Sequence, residues 1–383
     1  MDGKFDKKRP MLFYQQFADI IRDQINRGRY KPGEYIPSER QLSKDFKLNR
    51  MTVRKGMAML IEEGLLQPFR GRGTFVTGYP QARAKSGSKD IGYVFIKDFN
   101  FPLSKNPYYT EILEGAEAEA SKQDYKFFLM SVDYDESKLR DLASRIISDK
   151  IGGAVFVGRF DEKVEEMITS LAKRKIPVVV IDRYVPYNGV SAVLTDNAKG
   201  AYEAVSYLAS LGHRDIGFIT GPKSNQAVQE RSDGFWKAVR ELKLKVRDES
   251  VAESDLHIHG GYLAMKKILG MRNPASAGHR HPTAVFAIND EAAIGAMRAI
   301  HEKGLEVPKD VSLVGFDDIE WATHTMPGLT TIKIYKKEIG AAAVKKLIEQ
   351  IEDKAALPVK NVMPVKLVLR ESCAPLRRGH ANV

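Results

Sequence analysis

Residues 48–76 read LNRMTVRKGMAMLIEEGLLQPFRGRGTFV. Apolar side chains recur there at spacings of three and four residues, which predicts an amphipathic helix. Its expected buried stripe consists of Val53, Met57, Leu60 and Ile61. Asn49 is the expected N-cap, and Gly64 is expected to end the helix. The apolar runs on either side of RGRG then predict a two-stranded hairpin.

Positive charge is present on both parts of this stretch. Arg50, Arg54 and Lys55 belong to the helix, and Arg70 and Arg72 belong to the hairpin tip. A solvated surface does not need cations in both places, whereas contact with a nucleic-acid backbone accounts for both.

Two shorter elements precede the helix. Residues 12–28 have an amphipathic pattern that predicts a helix, and Pro32-Gly33 predicts a turn. Ser38 and Gln41 have the spacing of a capping box, which predicts a second helix that ends near residue 46. The order helix, helix, turn, helix, hairpin is that of a winged helix-turn-helix, an α+β fold.

In such a fold the third helix enters the major groove and its first residues face the base edges. Glycine at the wing tip allows positive φ and a close approach to DNA. The positions expected to reach bases or phosphates are Arg40, Arg50, Thr52, Arg54, Lys55, Arg70, Gly71 and Arg72.

The charge of the chain is unevenly distributed. The formal net charge is +11, and residues 1–90 carry 19 Lys and Arg against 10 Asp and Glu. The remaining residues carry 41 basic against 39 acidic side chains and are therefore almost neutral. One basic module joined to a neutral one is the electrostatic pattern expected when the first binds nucleic acid.

Composition restricts the class of protein further. A length of 383 residues with 43% hydrophobic and 28% charged residues predicts a soluble protein of two or three domains. No run of about 18 apolar residues and no secretory signal is recognised, so a cytoplasmic location is expected. The single cysteine, Cys373, is expected to pack near a C-terminal strand. No phosphate-binding glycine motif or nucleophile elbow is found, so neither an enzyme nor a cofactor is expected.

The pattern changes after residues 78–90, a stretch rich in Pro, Gly, Ser and Lys that is typical of a linker. Short apolar runs then alternate with amphipathic helices, which predicts parallel sheets covered by helices in two lobes. The predicted strands are residues 91–96, 126–132, 153–158, 177–182, 216–221, 284–290 and 312–318. Polar residues follow several of these strands, and the cleft beyond the strand ends is the expected ligand site.

Two family resemblances agree with these patterns. Residues 12–77, with PGEYIPSERQLSKDFKLNRMTVRKGMAMLIEEGLL and RGRGTFV, resemble the DNA-binding domain of the GntR family. Residues 91–372, with LGHRDIGFITG, FAINDEAAIGAMRA and VPKDVSLVGFDD, resemble the two-lobed LacI-type effector domain of periplasmic-binding-protein type I. The combination is similar to that of arabinose repressors. It implies a head at 1–77, a linker at 78–90, a body at 91–372 and a tail at 373–383.

The GntR resemblance implies DNA contacts for a specific set of residues. They are Arg40, Asn49, Arg50, Thr52, Arg54 and the wing glycine Gly71. Met51 departs from the pattern, since family members often carry Ser or Thr at this position.

The LacI resemblance implies an effector site built from both lobes. Asn106, Tyr108 and Tyr109 match a sugar-binding segment, and a sugar ring has an apolar face that stacks on aromatic rings. Further expected contacts are Asp182, Arg183, Arg231, Asp255, Asp290 and Asp317. Ile334 replaces a ligand-facing glutamine of LacI, so that contact is expected to be lost.

Simpler interpretations exist for several of these residues. Asp182 and Arg183 could form a surface ion pair, Arg231 could pair with Glu230 or Asp233, and Asp317 could only support the hinge. The pairs at His257 and His259 and at His279 and His281 are expected to be exposed loop residues and not a metal site.

The predicted function is that of a ligand-responsive transcriptional regulator, most simply a dimeric repressor bound to double-stranded operator DNA. Asp182 and Asp290 balance Arg183 and Arg231, which favours a neutral sugar over a phosphorylated effector. A purine effector, an activator that requires its ligand and a solute-binding transport module are the alternatives.

Overall fold

The structure is a computed structural model that describes residues 12–26, 28–31, 33–62, 65–69, 73–76, 89–97, 103–270, 281–353 and 355–376. The chain divides into two compact units, Met1–Ser86 and Gly87–Val383. We refer to them as the head and the body.

The secondary-structure elements follow the alternation predicted from the sequence. The helices are α1 Phe13–Asn26, α2 Glu39–Asp45, α3 Arg50–Glu62, α4 Pro107–Lys122, α5 Glu136–Ser148, α6 Glu162–Lys173, α7 Asn197–Ser210, α8 Gln226–Glu241, α9 Ile258–Ile268, α10 Asp290–Glu302, α11 Trp321–His324 and α12 Lys336–Glu352. The strands are β1 Leu66–Phe69, β2 Gly73–Val76, β3 Asp90–Lys97, β4 Lys126–Asp133, β5 Gly153–Gly158, β6 Val178–Ile181, β7 Val190–Thr195, β8 Ile216–Thr220, β9 Val251–Glu253, β10 Ala284–Ala287, β11 Ser312–Val314, β12 Thr331–Ile334, β13 Lys360–Met363 and β14 Val365–Val368.

The head is held together by one small apolar core. Phe17 of α1 and Val53 and Leu60 of α3 are fully buried in it, so the predicted stripe of α3 does face inward. Strands β1 and β2 pair antiparallel and form the predicted hairpin. These elements confirm the winged helix-turn-helix.

The capping box at the start of α2 is only half formed. The Ser38 hydroxyl accepts a hydrogen bond from the Gln41 amide at 3.3 Å, as predicted. The Gln41 side-chain amide instead donates to Asp45 Oδ1 at 2.8 Å, and the reciprocal bond of a capping box, in which Gln41 Oε1 would accept from the Ser38 amide, is not formed.

The body consists of two parallel sheets flanked by helices. Within the described residues, the first lobe has the strand order β13-β7-β6-β5-β3-β4 and the second lobe has the order β11-β10-β8-β9. All pairs in both sheets are parallel. Continuous apolar strands such as VVVI of β6 are buried on both faces, as expected for parallel sheets covered by helices.

The chain passes between the lobes near its C-terminal end. Strands β12 and β14 form an antiparallel pair, α12 packs against β5 and β6 of the first lobe, and β13 joins the edge of that sheet. The sequence patterns did not predict β7, β9, β12, β13 or β14. Strand β9 has only three residues, and β12, β13 and β14 each contain a lysine. Residues 284–290 were predicted as a single strand, but β10 ends at Ala287 and α10 begins at Asp290.

The body extends beyond residue 373, where the tail was predicted to begin. The Ala374 amide donates to Ser312 Oγ at 3.1 Å, and the Leu376 amide donates to the Leu211 carbonyl at 2.9 Å. Cys373 packs against the core of the body, as expected, and burial raises the pKa of its thiol to about 11. Residues 377–383 lie outside the described residues. No helix in the described part of the chain is long and apolar enough to cross a membrane.

Candidate functional site: a DNA-reading helix and an effector cavity

The third helix of the head presents a basic surface opposite its buried stripe. Arg50 and Arg54 lie one turn apart and are exposed, and Thr52 is half-buried beside them. Met51 lies between the two arginines in sequence and is 65% exposed, so an apolar side chain occupies this surface. Arg40 of α2 is exposed as well.

Arg54 is held by a carboxylate of the neighbouring helix. Its Nη2 lies 3.0 Å and its Nε lies 3.2 Å from Glu39 Oε2, and this contact raises the pKa of the guanidinium. The same two nitrogens would present the parallel donors that arginine uses on guanine. Glu39 therefore orients Arg54 and also occupies its donors.

Two further predicted DNA contacts also have structural partners within the head. The Asn49 Oδ1 accepts a hydrogen bond from the Met51 amide at 2.9 Å, so Asn49 caps α3 as predicted. The Lys55 ammonium lies 4.5 Å from the centre of the Tyr14 ring, which places its stem against α1. Both residues are exposed.

The wing follows the third helix in the sequence and is formed by β1 and β2. Gly73 opens β2 with φ +114°, a left-handed conformation that favours glycine. Tyr35 pairs with Phe75 and adds a third short strand segment. The predicted contacts Arg70, Gly71 and Arg72 lie outside the described residues.

The body contains a cavity of 360 Å³ between the carboxyl ends of its two sheets. This is the position at which open parallel sheets bind ligands. Among the residues predicted for the effector site, those that line the cavity are Asn106, Tyr108, Tyr109, Asp182, Arg183, Arg231, Asp255 and Asp317.

The first-lobe wall is formed by the start of α4 and the end of β6. The Tyr108 hydroxyl donates to Asp182 Oδ2 at 2.7 Å, and the rings of Tyr108 and Tyr109 meet edge to face at 5.2 Å. Asp182 has φ +61°, which turns its side chain out of the strand direction and into the cavity. Burial raises the pKa of Asp182 to about 6, and the Tyr108 hydroxyl opposes this rise.

The polar groups of two other first-lobe residues already have partners within the protein. Asn106 caps α4 and accepts a hydrogen bond from the Tyr109 amide at 3.0 Å. Arg183 pairs with Glu165 at 2.6 Å. The ion pair that the simpler interpretation assigned to Asp182 and Arg183 is therefore not formed.

The second-lobe wall is organised by Arg231 of α8, which is 7% exposed. Its Nη2 pairs with Asp317 Oδ1 at 2.9 Å, and neither Glu230 nor Asp233 is its partner. Its Nε donates to Asn197 Oδ1 at 2.9 Å, and its Nη1 donates to the Ile288 carbonyl at 2.8 Å. Burial raises the pKa of Asp317, and the Arg231 charge opposes this rise.

Asp290 does not line the cavity, which corrects the prediction made for it. Its side chain is fully buried and accepts hydrogen bonds from the Ile319 amide at 2.9 Å and from the Thr331 hydroxyl. Asp290 begins α10 and ties it to the crossover strand β12. Its neighbours Asn289 and Glu291 face the cavity instead.

Several cavity residues were not predicted. Asp161 caps α6, Gln226 begins α8, and Glu291 approaches His257 Nδ1 at 3.2 Å. All four residues line the cavity, so His257 is not the exposed loop residue expected from the sequence. Their positions at helix starts that follow parallel strands are the signal that could have identified them.

The comparisons with known proteins agree with this architecture. Residues 13–76 match the bacterial regulatory proteins of the gntR family, and residues 205–373 match the periplasmic binding protein-like domain. An arabinose metabolism transcriptional repressor of Geobacillus stearothermophilus is 30% identical over 96% of this chain and 99% of its own length. An HTH-type transcriptional repressor PurR of Pasteurella multocida is 35% identical over 76% of this chain and 85% of its own length.

Solved structures give the same result for the body. A LacI family transcriptional regulator from Enterococcus faecium with bound ribose is 27% identical, with a TM-score of 0.64, and covers 75% of this chain and 100% of its own. A LacI family regulator from Mycobacterium smegmatis is 26% identical, with a TM-score of 0.62, and covers 74% of this chain and 99% of its own.

A basic winged helix-turn-helix joined to a two-lobed body with a polar, aromatic cavity defines the ligand-responsive, DNA-binding transcriptional repressors. The chain belongs to the group of these repressors in which a GntR-type head precedes a LacI-type effector domain.

Proposed function

We propose that this repressor leaves its operator when a neutral monosaccharide binds in the cavity, and that arabinose is the first effector to test. It acts as a homodimer and by binding alone, without chemical turnover. The observation that carries the proposal is the combination of aromatic rings and an excess of carboxylates in one cavity.

The aromatic part of the cavity suits a sugar ring. Phe95, Tyr108 and Tyr109 lie together at the start of α4 and the end of β3, with Phe95 5.4 Å from the Tyr109 ring. Such rings contact the apolar face of a sugar, while hydroxyl groups require paired donors and acceptors at its edge.

The charged part of the cavity favours an effector that donates hydrogen bonds. The carboxylates that line it, among the described residues, are Asp161, Asp182, Asp255, Glu291 and Asp317, against the guanidinium groups of Arg159, Arg183 and Arg231. The sequence predicted two carboxylates against two guanidinium groups, but one of these carboxylates, that of Asp290, does not line the cavity. Because Arg183 and Arg231 already have carboxylate partners, a phosphorylated effector would meet little uncompensated positive charge.

The whole-length similarity to an arabinose repressor supports arabinose as the first choice. A purine is the second candidate, since several relatives carry the name PurR and aromatic rings also stack on purines. In either case a dimer would place two α3 helices in successive major grooves, about 34 Å apart.

The decisive experiment measures operator binding by fluorescence anisotropy. It uses DNA from upstream of the gene and a fixed salt concentration. Arabinose, ribose, xylose, galactose and a purine are titrated in turn, and direct binding is measured by calorimetry. We expect one neutral sugar to weaken operator affinity about 5- to 150-fold, the range of typical allosteric coupling. Release by a sugar phosphate and not by the free sugar would refute the proposal.

A matched pair of variants tests whether the cavity is the effector site. Tyr108→Phe removes the hydroxyl that donates to Asp182, and Tyr202→Phe removes one that donates to Glu241 at 2.9 Å on the exposed side of α7. We expect Y108F to weaken sugar binding about tenfold, because the Asp182 carboxylate loses the donor that holds it in position to accept from the sugar, and a hydrogen bond to a charged group contributes about 1.5–3 kcal/mol. Equal effects of the two substitutions would contradict the assignment.

A further inference from the structure

A buried lysine that does not line the cavity contacts both of the cavity's walls. Lys336 begins α12 and is 3% exposed. Its Nζ donates to the Asp317 carbonyl at 2.7 Å and to the Asp318 carbonyl at 2.8 Å, and it lies 3.3 Å from Glu111 Oε1. The three N–H groups of the ammonium thus match three acceptors.

The two carbonyls belong to an unusual turn in the second lobe. Asp317 has φ +112° and Asp318 has φ +52°, so two successive non-glycine residues are left-handed. Residues rarely adopt this conformation unless the surrounding structure enforces it. This turn places the Asp317 carboxylate on Arg231, so its conformation determines the geometry of the second-lobe wall.

The third acceptor belongs to the first lobe. Glu111 lies on α4, one turn after Tyr108, which lines the cavity and binds Asp182. Helix α12 packs along α4 and against β5 and β6 of the same lobe. One ammonium group therefore contacts the strained turn of one wall and the helix that carries the other wall.

We propose that Lys336 is a positioning residue that fixes the Asp317–Asp318 turn and transmits effector binding from one lobe to the other. The inference rests on the proposed effector function of the cavity, since transmission needs a ligand. Lys336 itself does not line the cavity, so its effect on the ligand acts through Asp317 and through α4.

The test compares two neighbouring lysines that both reach α4. Lys336→Met keeps the length of the side chain and removes its three donors. Lys337→Met is the matched control, because Lys337 is 60% exposed and pairs with Glu114 at 2.9 Å. Hydrogen exchange is measured in segments 315–320 and 107–112 of the full chain, together with operator affinity with and without L-arabinose.

We expect K336M to exchange faster in both segments and to lose about tenfold in the response of operator affinity to arabinose. Operator affinity without sugar should stay within about twofold of wild type, and K337M should match wild type in every measurement. Unchanged exchange in K336M would overturn the inference. Faster exchange with a wild-type arabinose response would also overturn it, because the lysine would then only stabilise the fold.

A second variant tests the same inference if K336M does not fold. Glu111→Gln removes the charge on the first-lobe side only, at a half-exposed position. We expect about a threefold loss of the arabinose response in E111Q, and a wild-type response would overturn the inference. A wild-type protein that ignores arabinose would exclude arabinose as the effector, while the exchange rates would still show whether Lys336 fixes the Asp317–Asp318 turn.

Discussion

Replacement of Arg231 by methionine should destabilise the body of the protein and abolish its response to the effector. Methionine retains an apolar stem of similar length but none of the donors that now contact Asn197, Ile288 and Asp317. The Asp317 carboxylate would then lie buried without its partner.

The expected magnitude follows from the burial of this pair. Both side chains are 9% exposed, and the guanidinium carbon lies 3.9 Å from the centre of the Phe316 ring. Removal of one member of a buried ion pair costs about 3–5 kcal/mol, because the other charge remains desolvated. We therefore expect Arg231→Met to lower the free energy of unfolding of the body by about that amount.

The assay is urea denaturation of the full chain followed by tryptophan fluorescence. The chain has two tryptophans, Trp236 and Trp321, and both lie in the body, so the signal reports this unit alone. Arg231→Met, Asp317→Asn and the double variant form a thermodynamic cycle. Because the two residues are in contact, the double variant should lose at least about 2 kcal/mol less than the sum of the single variants.

The pH dependence provides an independent check of the same reasoning. Burial raises the pKa of Asp317 and Arg231 opposes the rise, so the loss of Arg231 should raise this pKa further. A carboxyl group with a raised pKa in the folded state stabilises the fold when protonated and loses that contribution as pH rises. The deficit of R231M should thus be smaller at pH 5 than at pH 8. Additive single variants with a deficit independent of pH would refute the argument.

The remaining predictions concern the head and the first-lobe wall. Arg54→Ala should abolish specific operator binding and leave sugar affinity unchanged in calorimetry, and loss of both in a folded variant would contradict the division of labour. Glu39→Gln should strengthen binding to random-sequence DNA in anisotropy, since it weakens the internal partner of Arg54; unchanged binding would show that the pair is irrelevant to DNA. Gly56→Ala should lower the free energy of unfolding of the head by about 1–3 kcal/mol in thermal denaturation, because the added Cβ would lie 2.6 Å from Phe17 Cδ1; a stabilised variant would disprove the close packing. Asp182 has a folded-state pKa of about 6, so the stability of the body should fall as pH rises from about 4 to about 6, and Asp182→Asn should remove that part of the slope. An identical slope in D182N would contradict the assignment.

The sequence predicted well the elements in which apolar residues form a clear pattern, above all where a capping residue also marks the end. Helix α3 is one example, since its stripe is visible in the sequence and Asn49 caps it. Strand β6 is another, because four successive β-branched residues leave little alternative to a buried strand.

The errors arose where tertiary contacts decide the outcome. Nothing local distinguishes Asp290, which turns towards Thr331 forty-one residues away, from Glu291, which faces the cavity. Strands β12 and β14 pair antiparallel with each other, and their alternation of Lys and apolar residues is too short to identify from sequence. Gly56 shows the same limit, since its requirement for glycine comes from α1 and not from α3.

The pair of Glu39 and Arg54 has a consequence for how the protein searches a genome. If Arg54 reads the operator as predicted, a DNA site must offer it better acceptors than a carboxylate already 3.0 Å from its Nη2. A guanine edge supplies two acceptors in the required geometry, whereas an isolated phosphate on random DNA replaces one anion with another. On that prediction the internal partner would set a threshold that ordinary sequence does not pass, and it would shorten the time the repressor spends on DNA that is not its operator.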